Sequence, residues 1–267
     1  MKISGKVVVV TGAGNGMGRE LTLQLIKKGA KVAAVDMRAE TLSETKNLAS
    51  AQGGEIETFL LDISDASKVQ DLPKEIENKM GSADVLINNA GIIQPFVRIN
   101  DLTLEQAQKV MDVNFTGPLM LTKAFLPGFL KKSEAHILNV SSMGAYAPVP
   151  GQSVYGASKA ALKLFTEGLR SELLDTNVGV TIVFPGAIET NIAANSGLAN
   201  LNIDSAQSSK IKMTSAPVAA SLMIDAIEKN KPRITIGKDA KTMDLLSRLS
   251  PIYAAKLIYK QMKELLK

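Results

Sequence analysis

Lys6-Val7-Val8-Val9-Val10-Thr11-Gly12-Ala13-Gly14-Asn15-Gly16-Met17-Gly18-Arg19 is the stretch on which the reading of this chain turns. Four consecutive valines are apolar on both faces, as a strand buried inside a parallel sheet must be. The glycines that follow let the backbone turn sharply and come close to a pyrophosphate. A helix opening after them offers unpaired N–H groups to the same anion. The spacing is G-x-x-x-G-x-G, not the G-x-G-x-x-G of the general dinucleotide fingerprint. A glycine turn that merely joins two elements is the plainer alternative, and the strand–turn–helix order weighs against it. Gly12, Asn15, Gly16, Met17 and Gly18 are therefore expected against a dinucleotide.

Similar β-branched runs recur at Lys31–Asp36, Ile56–Leu61, Asp84–Asn88, His136–Ser141, Val178–Phe184 and Arg233–Ile236, with helix-like stretches between most of them. Apolar strands alternating with helices predict an α/β architecture. The expected form is a doubly wound Rossmann fold, a seven-stranded parallel sheet with helices on both faces. No linker, repeat or low-complexity segment divides residues 1–267, and one domain suffices. Residues 191–215, rich in Asn, Ser, Ala and Gly, follow the sixth strand. Ligands bind beyond the carboxyl ends of such strands, so this insertion is read as a substrate lid.

Composition narrows the chemistry. The 267 residues are 45% hydrophobic and include no cysteine and one histidine, His136. Disulfides and thiolate–metal sites are excluded, no metal centre is expected, and a histidine-based triad is disfavoured. His136 begins the fifth strand, at the end away from the expected site, and is read as structural. The net charge of +5 is spread along a chain poor in aromatic residues, which reads as a lysine-rich surface and not as a nucleic-acid footprint. No apolar run approaches the ~20 residues that span a bilayer, and Met1 leads directly into a strand-like segment. A cytoplasmic location is the expectation.

Further site residues fall at strand carboxyl ends. Asp36 ends the second strand, where a carboxylate accepts hydrogen bonds from ribose hydroxyls and repels a 2′-phosphate. That favours NAD over NADP, although Arg38 places a guanidinium nearby that suits a phosphate. Asp62 and Ile63 follow the third strand, and Asn88-Asn89-Ala90-Gly91 follows the fourth, where the adenosine half of a dinucleotide would rest.

Tyr155-Gly-Ala-Ser-Lys159 sets a phenol and an ammonium on one helix face. A free tyrosine, with a pKa near ~10, exchanges protons poorly at neutral pH, and a cation beside it favours the phenolate. Alone, the pair is a common coincidence. With T-G-A-G-N-G-M-G, N-N-A-G, V-N-F around Asn114, N-V-S-S and P-G-A-I-E-T it carries more. By these motifs the chain resembles the short-chain dehydrogenase/reductase family in its common single-domain form, over roughly residues 4–237.

The resemblance implies roles residue by residue. Tyr155 would be the general acid or base, and Lys159 would lower its pKa and bind the nicotinamide ribose. Family spacing selects Ser142 over Ser141 to hydrogen-bond the reacting oxygen. Asn114 would hold a water linking Lys159 to solvent. Asn89, Ala90 and Gly91 would line the cofactor, and Pro185, Gly186, Ile188 and Thr190 the nicotinamide. A homodimer or homotetramer is implied as well.

The substrate pocket is expected from Ile93, Gln94, Pro95 and Phe96, from residues 143–152, and from the lid. Its lining of Ile93, Phe96, Met143, Tyr146, Val149 and Ile192 is mostly apolar, with Arg98 the sole nearby guanidinium. A hydrophobic secondary alcohol or ketone of lipid, steroid or acyl type follows. The alternatives are an NADPH-dependent 3-oxoacyl reductase and a dinucleotide-sensing regulator without chemistry. In the tail, residues 239–267, the final segment Pro251–Lys267 is patterned as a helix: Ala255, Ile258, Tyr259, Met262, Leu265 and Leu266 share a stripe beside Lys256, Lys260, Lys263 and Lys267. Such a helix docks on its own domain or a partner subunit, or makes peripheral contact with an anionic membrane.

Overall fold

A computed structural model describes residues 1–190, 192, 196, 213–263 and 266. The proposed lid therefore lies mostly outside the described residues, as do Leu265 and Lys267 of the tail. The strands of the main sheet are β1 (Val7–Thr11), β2 (Lys31–Asp36), β3 (Ile56–Leu60), β4 (Val85–Asn88), β5 (Ala135–Val140), β6 (Val178–Pro185) and β7 (Arg233–Ile236). They pair in parallel in the order β3-β2-β1-β4-β5-β6-β7. This is the doubly wound sheet expected from the sequence. Its order reverses between β1 and β4, so the crevice opens where the glycine turn and Asn89-Ala90-Gly91 emerge.

The helices are α1 (Gly16–Lys27), α2 (Ala39–Ser50), α3 (Ala66–Met80), α4 (Leu104–Met111), α5 (Gly117–Phe129), α6 (Ser153–Glu172), α7 (Ala216–Glu228), α8 (Lys238–Leu249) and α9 (Pro251–Met262). The pleat of β1 divides its valines between two cores. Val8 and Val10 face Leu21 and Leu25 of α1 and Ile224 of α7, while Val7 and Val9 face Leu72 and Ile76 of α3 and Phe125 of α5. Each such side chain stabilises the fold by roughly 1.5–3 kcal/mol relative to exposure. That is why β1 and its neighbours β2 and β4 are buried on both faces.

His136 is structural. Its Nε2 lies 2.8 Å from Thr181 Oγ1, whose one hydrogen goes to the Lys231 carbonyl at 2.6 Å, so the imidazole donates. Burial, then the chain's ammonium terminus and Arg170, push its pKa down to about 3.

The tail is a hairpin of two helices, the second starting at Pro251 where the sequence reading began it, because proline fits the first helical turn but not the interior. It differs from the expectation in its buried stripe, which is rotated: Ala254 and Ile258 pack inward on Ala147 and Met243, whereas Tyr259 is 56% exposed. The small side chain of Ala254 allows close approach to residues 143–149, which a tyrosine would block. Among the described residues no helix is long and apolar enough to cross a membrane.

Candidate active site

The glycine turn is tied down on its inner side and open on its outer side. Gly14 N donates to Asp36 Oδ2 at 2.9 Å, and Arg19 donates to the Gly14 carbonyl through Nε and Nη2. Asn15 caps α1 by accepting from Gly16 N, which leaves the N–H groups of Met17 and Gly18 at the first turn. Gly16 has φ +52°, and a methyl group there would lie 3.4 Å from Thr190, so the turn and the end of the Pro185–Thr190 segment face one another. A methyl on Gly18 would collide with the Gly12 carbonyl. The side-chain oxygen of Asn89 is buried without a partner, while its nitrogen donates to Thr11 O at 2.9 Å. Free helix N–H groups and an unsatisfied buried acceptor in one crevice fit a dinucleotide.

Asp36 sits at the crevice, its Oδ1 accepting from Arg38 N at 3.0 Å and lying 3.9 Å from Arg38 Nε. Two other cofactor candidates are partly committed elsewhere. Asp62 Oδ1 accepts from Ser64 N and Oγ, closing the turn into α3. The Ile63 side chain is buried in the core, against Gly117.

The catalytic candidates converge beyond β4 and β5. Ser141 and Ser142 part company: Ser141 Oγ is buried and donates to the Lys159 carbonyl at 2.8 Å, while Ser142 Oγ accepts from Gly144 N at 3.0 Å and lies on the Tyr155 side, a methyl on Gly144 being 3.5 Å from Ser142 Oγ and 3.3 Å from Tyr155 Cε1. Burial raises the phenol pKa, and the neighbouring Ser142 hydroxyl draws it back. Lys159 is buried, donates from Nζ to Val140 O at 3.0 Å, and is brought down to about 8 by that burial. A methyl on Gly91 would lie 3.1 Å from Lys159 Nζ and 3.2 Å from Asn114 Oδ1, which measures how tightly these groups close together. Asn114 sits in a π-helical turn, Asp112–Thr116. Its amide accepts from Ile92 N and donates to Ile92 O and Ser158 Oγ.

A profile of the short chain dehydrogenase family matches residues 6–200, across this whole constellation. The chain belongs to that family. SadH of Mycobacterium tuberculosis, which bears the name of an oxidoreductase, is 35% identical over 92% of this chain and 91% of its own length. Dehydrogenase/reductase SDR family member 7B of Mus musculus is 35% identical over 86% of this chain and 72% of its own. A short-chain dehydrogenase/reductase from Burkholderia phymatum, solved in complex with NAD, superposes with a TM-score of 0.83 at 25% identity, covering 93% of this chain and 94% of that one. One from Burkholderia cenocepacia, solved with NADP, gives 0.80 at 28% identity, over 97% and 99%. The protein is thus a short-chain dehydrogenase/reductase, an oxidoreductase using a nicotinamide dinucleotide.

Within this short-chain dehydrogenase/reductase, three residues matter that the motifs did not single out for these roles. Gln94, read as pocket lining, is buried and accepts from Val154 N and Tyr155 N. Asp239 accepts from Ala187 N at 2.7 Å and fills the space beside Gly186, so the head of α8 holds the Pro185–Gly186 turn. Tyr146 donates to the Ala240 carbonyl at 2.8 Å and packs on Phe184. Met143, Tyr146 and Val149 therefore lean on the C-terminal hairpin, where the sequence reading had them lining the pocket freely. Ile93 and Phe96 remain half-buried beside them, and Ile93 N donates to Ser196 Oγ at 3.0 Å. A cavity of about 350 Å³ lined by Arg170, Asn177 and Asn230 lies at the amino ends of β5 and β6, remote from this chemistry.

Proposed function

We propose that this enzyme moves hydride between NAD(H) and an apolar secondary alcohol or ketone, with Tyr155 as acid and base. The observation that carries the reading is the convergence of Ser142 Oγ and the Tyr155 ring on Gly144 with Lys159 Nζ and Asn114 Oδ1 on Gly91, in one crevice. When bound, the nicotinamide supplies the hydride acceptor or donor. Tyr155 takes the proton of an alcohol or returns it to a ketone oxygen, and Ser142 donates to that oxygen as its charge grows. Burial opposes the phenolate, so a nearby cation is needed, and Lys159 is placed along the same helix to provide it. The Asn114 amide holds Ile92 and Ser158, which favours its main-chain carbonyl for the relay water. Residue 118 is proline and has no N–H to give that carbonyl.

Asp36 favours NAD, while Arg38 beside it supports NADP as the second reading. Steady-state rates with both dinucleotides on a panel of secondary alcohols test cofactor and substrate together. NAD and apolar alcohols are expected to give the higher kcat/KM. Asp36→Asn keeps the acceptor for Gly14 N but loses the charge, and should move the NADP/NAD ratio up by about tenfold, or ~1.4 kcal/mol. Turnover confined to small polyols would remove the apolar reading, and an unmoved ratio would remove Asp36 as selector.

The outer face of the hairpin supports a peripheral role. Ile252, Tyr253, Leu245 and Leu249 are exposed among Lys241, Lys256, Lys260 and Lys263, a pairing suited to an anionic membrane surface. Leu104 and Leu164 are exposed on the packed helices α4 and α6 and support a homodimer or homotetramer. Sedimentation with and without anionic vesicles checks both: protein left in the supernatant removes the membrane contact, and a monomer in buffer removes the oligomer.

A further inference from the structure

The amino end of α6 is capped from another part of the chain. Gln152 occupies the N-cap position but makes no side-chain cap, and Ser153, Val154 and Tyr155 are the first helical residues. Their N–H groups have no partner inside the helix. Gln94, 60 residues before Val154, supplies the missing acceptor: its Oε1 receives Val154 N at 2.8 Å and Tyr155 N at 3.0 Å. Two N–H donors on one atom fix that atom as the amide oxygen. The contact is reciprocal, because Gln152 Nε2 donates to the Gln94 carbonyl at 2.7 Å. Gln94 is 1% exposed and Gln152 4%, so water does not compete for either bond.

This clasp bears directly on the acid/base. Tyr155 N is one of the two groups it holds, and Ser158 and Asn114 secure the next turn. Ser158 Oγ donates to Tyr155 O at 2.7 Å and accepts from Asn114 Nδ2 at 3.0 Å. Tyr155 N is thus held directly from the loop after β4, the wall that bears Asn89-Ala90-Gly91, and Tyr155 O indirectly, through Ser158 of α6 and the Asn114 amide that bonds Ile92 of that loop. Pro95 follows Gln94 and biases its backbone to the extended region, which limits its freedom to leave.

We propose that Gln94 is a positioning residue, registering Tyr155 against Ser142 from the cofactor wall of the crevice. It touches neither of the reacting groups; it acts through the backbone of Tyr155. A displacement of about 1 Å at a reacting group costs up to ~100-fold in rate, so a cap at this position governs turnover more than affinity. The inference rests on Tyr155 being the acid/base.

The test compares Gln94→Met, which keeps the bulk and loses the acceptor, with Gln94→Glu, which keeps an acceptor at the same reach. Tyr155→Phe runs alongside. Gln94→Met should lower kcat by about 10- to 100-fold, with the KM for NAD within about threefold of the parent. Gln94→Glu, measured at its own pH optimum, should recover most of kcat. A Gln94→Met enzyme within twofold of the parent kcat, while Tyr155→Phe is inactive, overturns the inference and leaves the function standing. Parallel losses in kcat, NAD affinity and melting temperature, with no recovery in Gln94→Glu, overturn it too, since a generic packing role would do that. Turnover that survives Tyr155→Phe overturns the functional reading and this inference with it.

Discussion

Tyr155→Phe should lower kcat by about 10²- to 10⁴-fold and leave the dissociation constant for NAD within about threefold. The substitution removes only the phenolic oxygen. The ring keeps its place against Gly144, where a methyl would lie 3.3 Å from Tyr155 Cε1, and the backbone keeps its bonds to Gln94 and Ser158. The glycine turn, Asp36 and Asn89 are untouched, so the dinucleotide retains its partners. Ser142 would still donate to a substrate oxygen, but no group would exchange the proton there. Calorimetric titration with NAD and steady-state turnover separate the two effects. A variant with more than a third of parental turnover would show that Tyr155 is not the proton carrier.

Gly18→Ala acts on the other half of the crevice. A methyl at this position would meet the Gly12 carbonyl oxygen, which belongs to the rigid exit of β1 and cannot swing aside as a side chain can. Either α1 moves away from β1 or the turn between them deforms, and both displace the N–H groups of Met17 and Gly18. Overpacking of this kind costs about 1–3 kcal/mol, and more where the backbone must shift. In a chain of this size that corresponds to a melting temperature lower by roughly 2–6 °C. NAD affinity should fall by more than about tenfold, because the anion site itself is distorted. Gly128→Ala is the control: it lies exposed in α5 with no atom near the added methyl, and should stabilise by about 0.5–1 kcal/mol. Equal stability and equal NAD affinity in Gly18→Ala would mean that the turn is not the anion site.

The sheet was legible because its central strands are buried on both faces. Each is a short β-branched run, and the glycine turn marks which one comes first at the switch point. Ser142 and Lys159 were legible through spacing within one segment, and both come to the Tyr155 crevice. The clasp of Gln94 on α6 was not legible, since glutamine after a turn has no local signature and its partners lie 60 residues on. The bond from Asp239 to Ala187 spans 52 positions and is hidden for the same reason. The tail showed its apolar and basic residues but not which face would dock. That choice was made by the close approach of Ala254 to Ala147, a packing event absent from helical periodicity. The break at Pro251 did carry a signal, a proline inside an otherwise helical pattern.

The claim that this crevice transfers hydride under the control of Tyr155 is tested most directly with an apolar secondary alcohol deuterated at its carbinol carbon. The parent enzyme and NAD should yield reduced nicotinamide carrying one deuterium from the alcohol, and Tyr155→Phe should bind NAD yet yield almost none. Reduced cofactor without the label, or equal labelling by both proteins, would contradict the account.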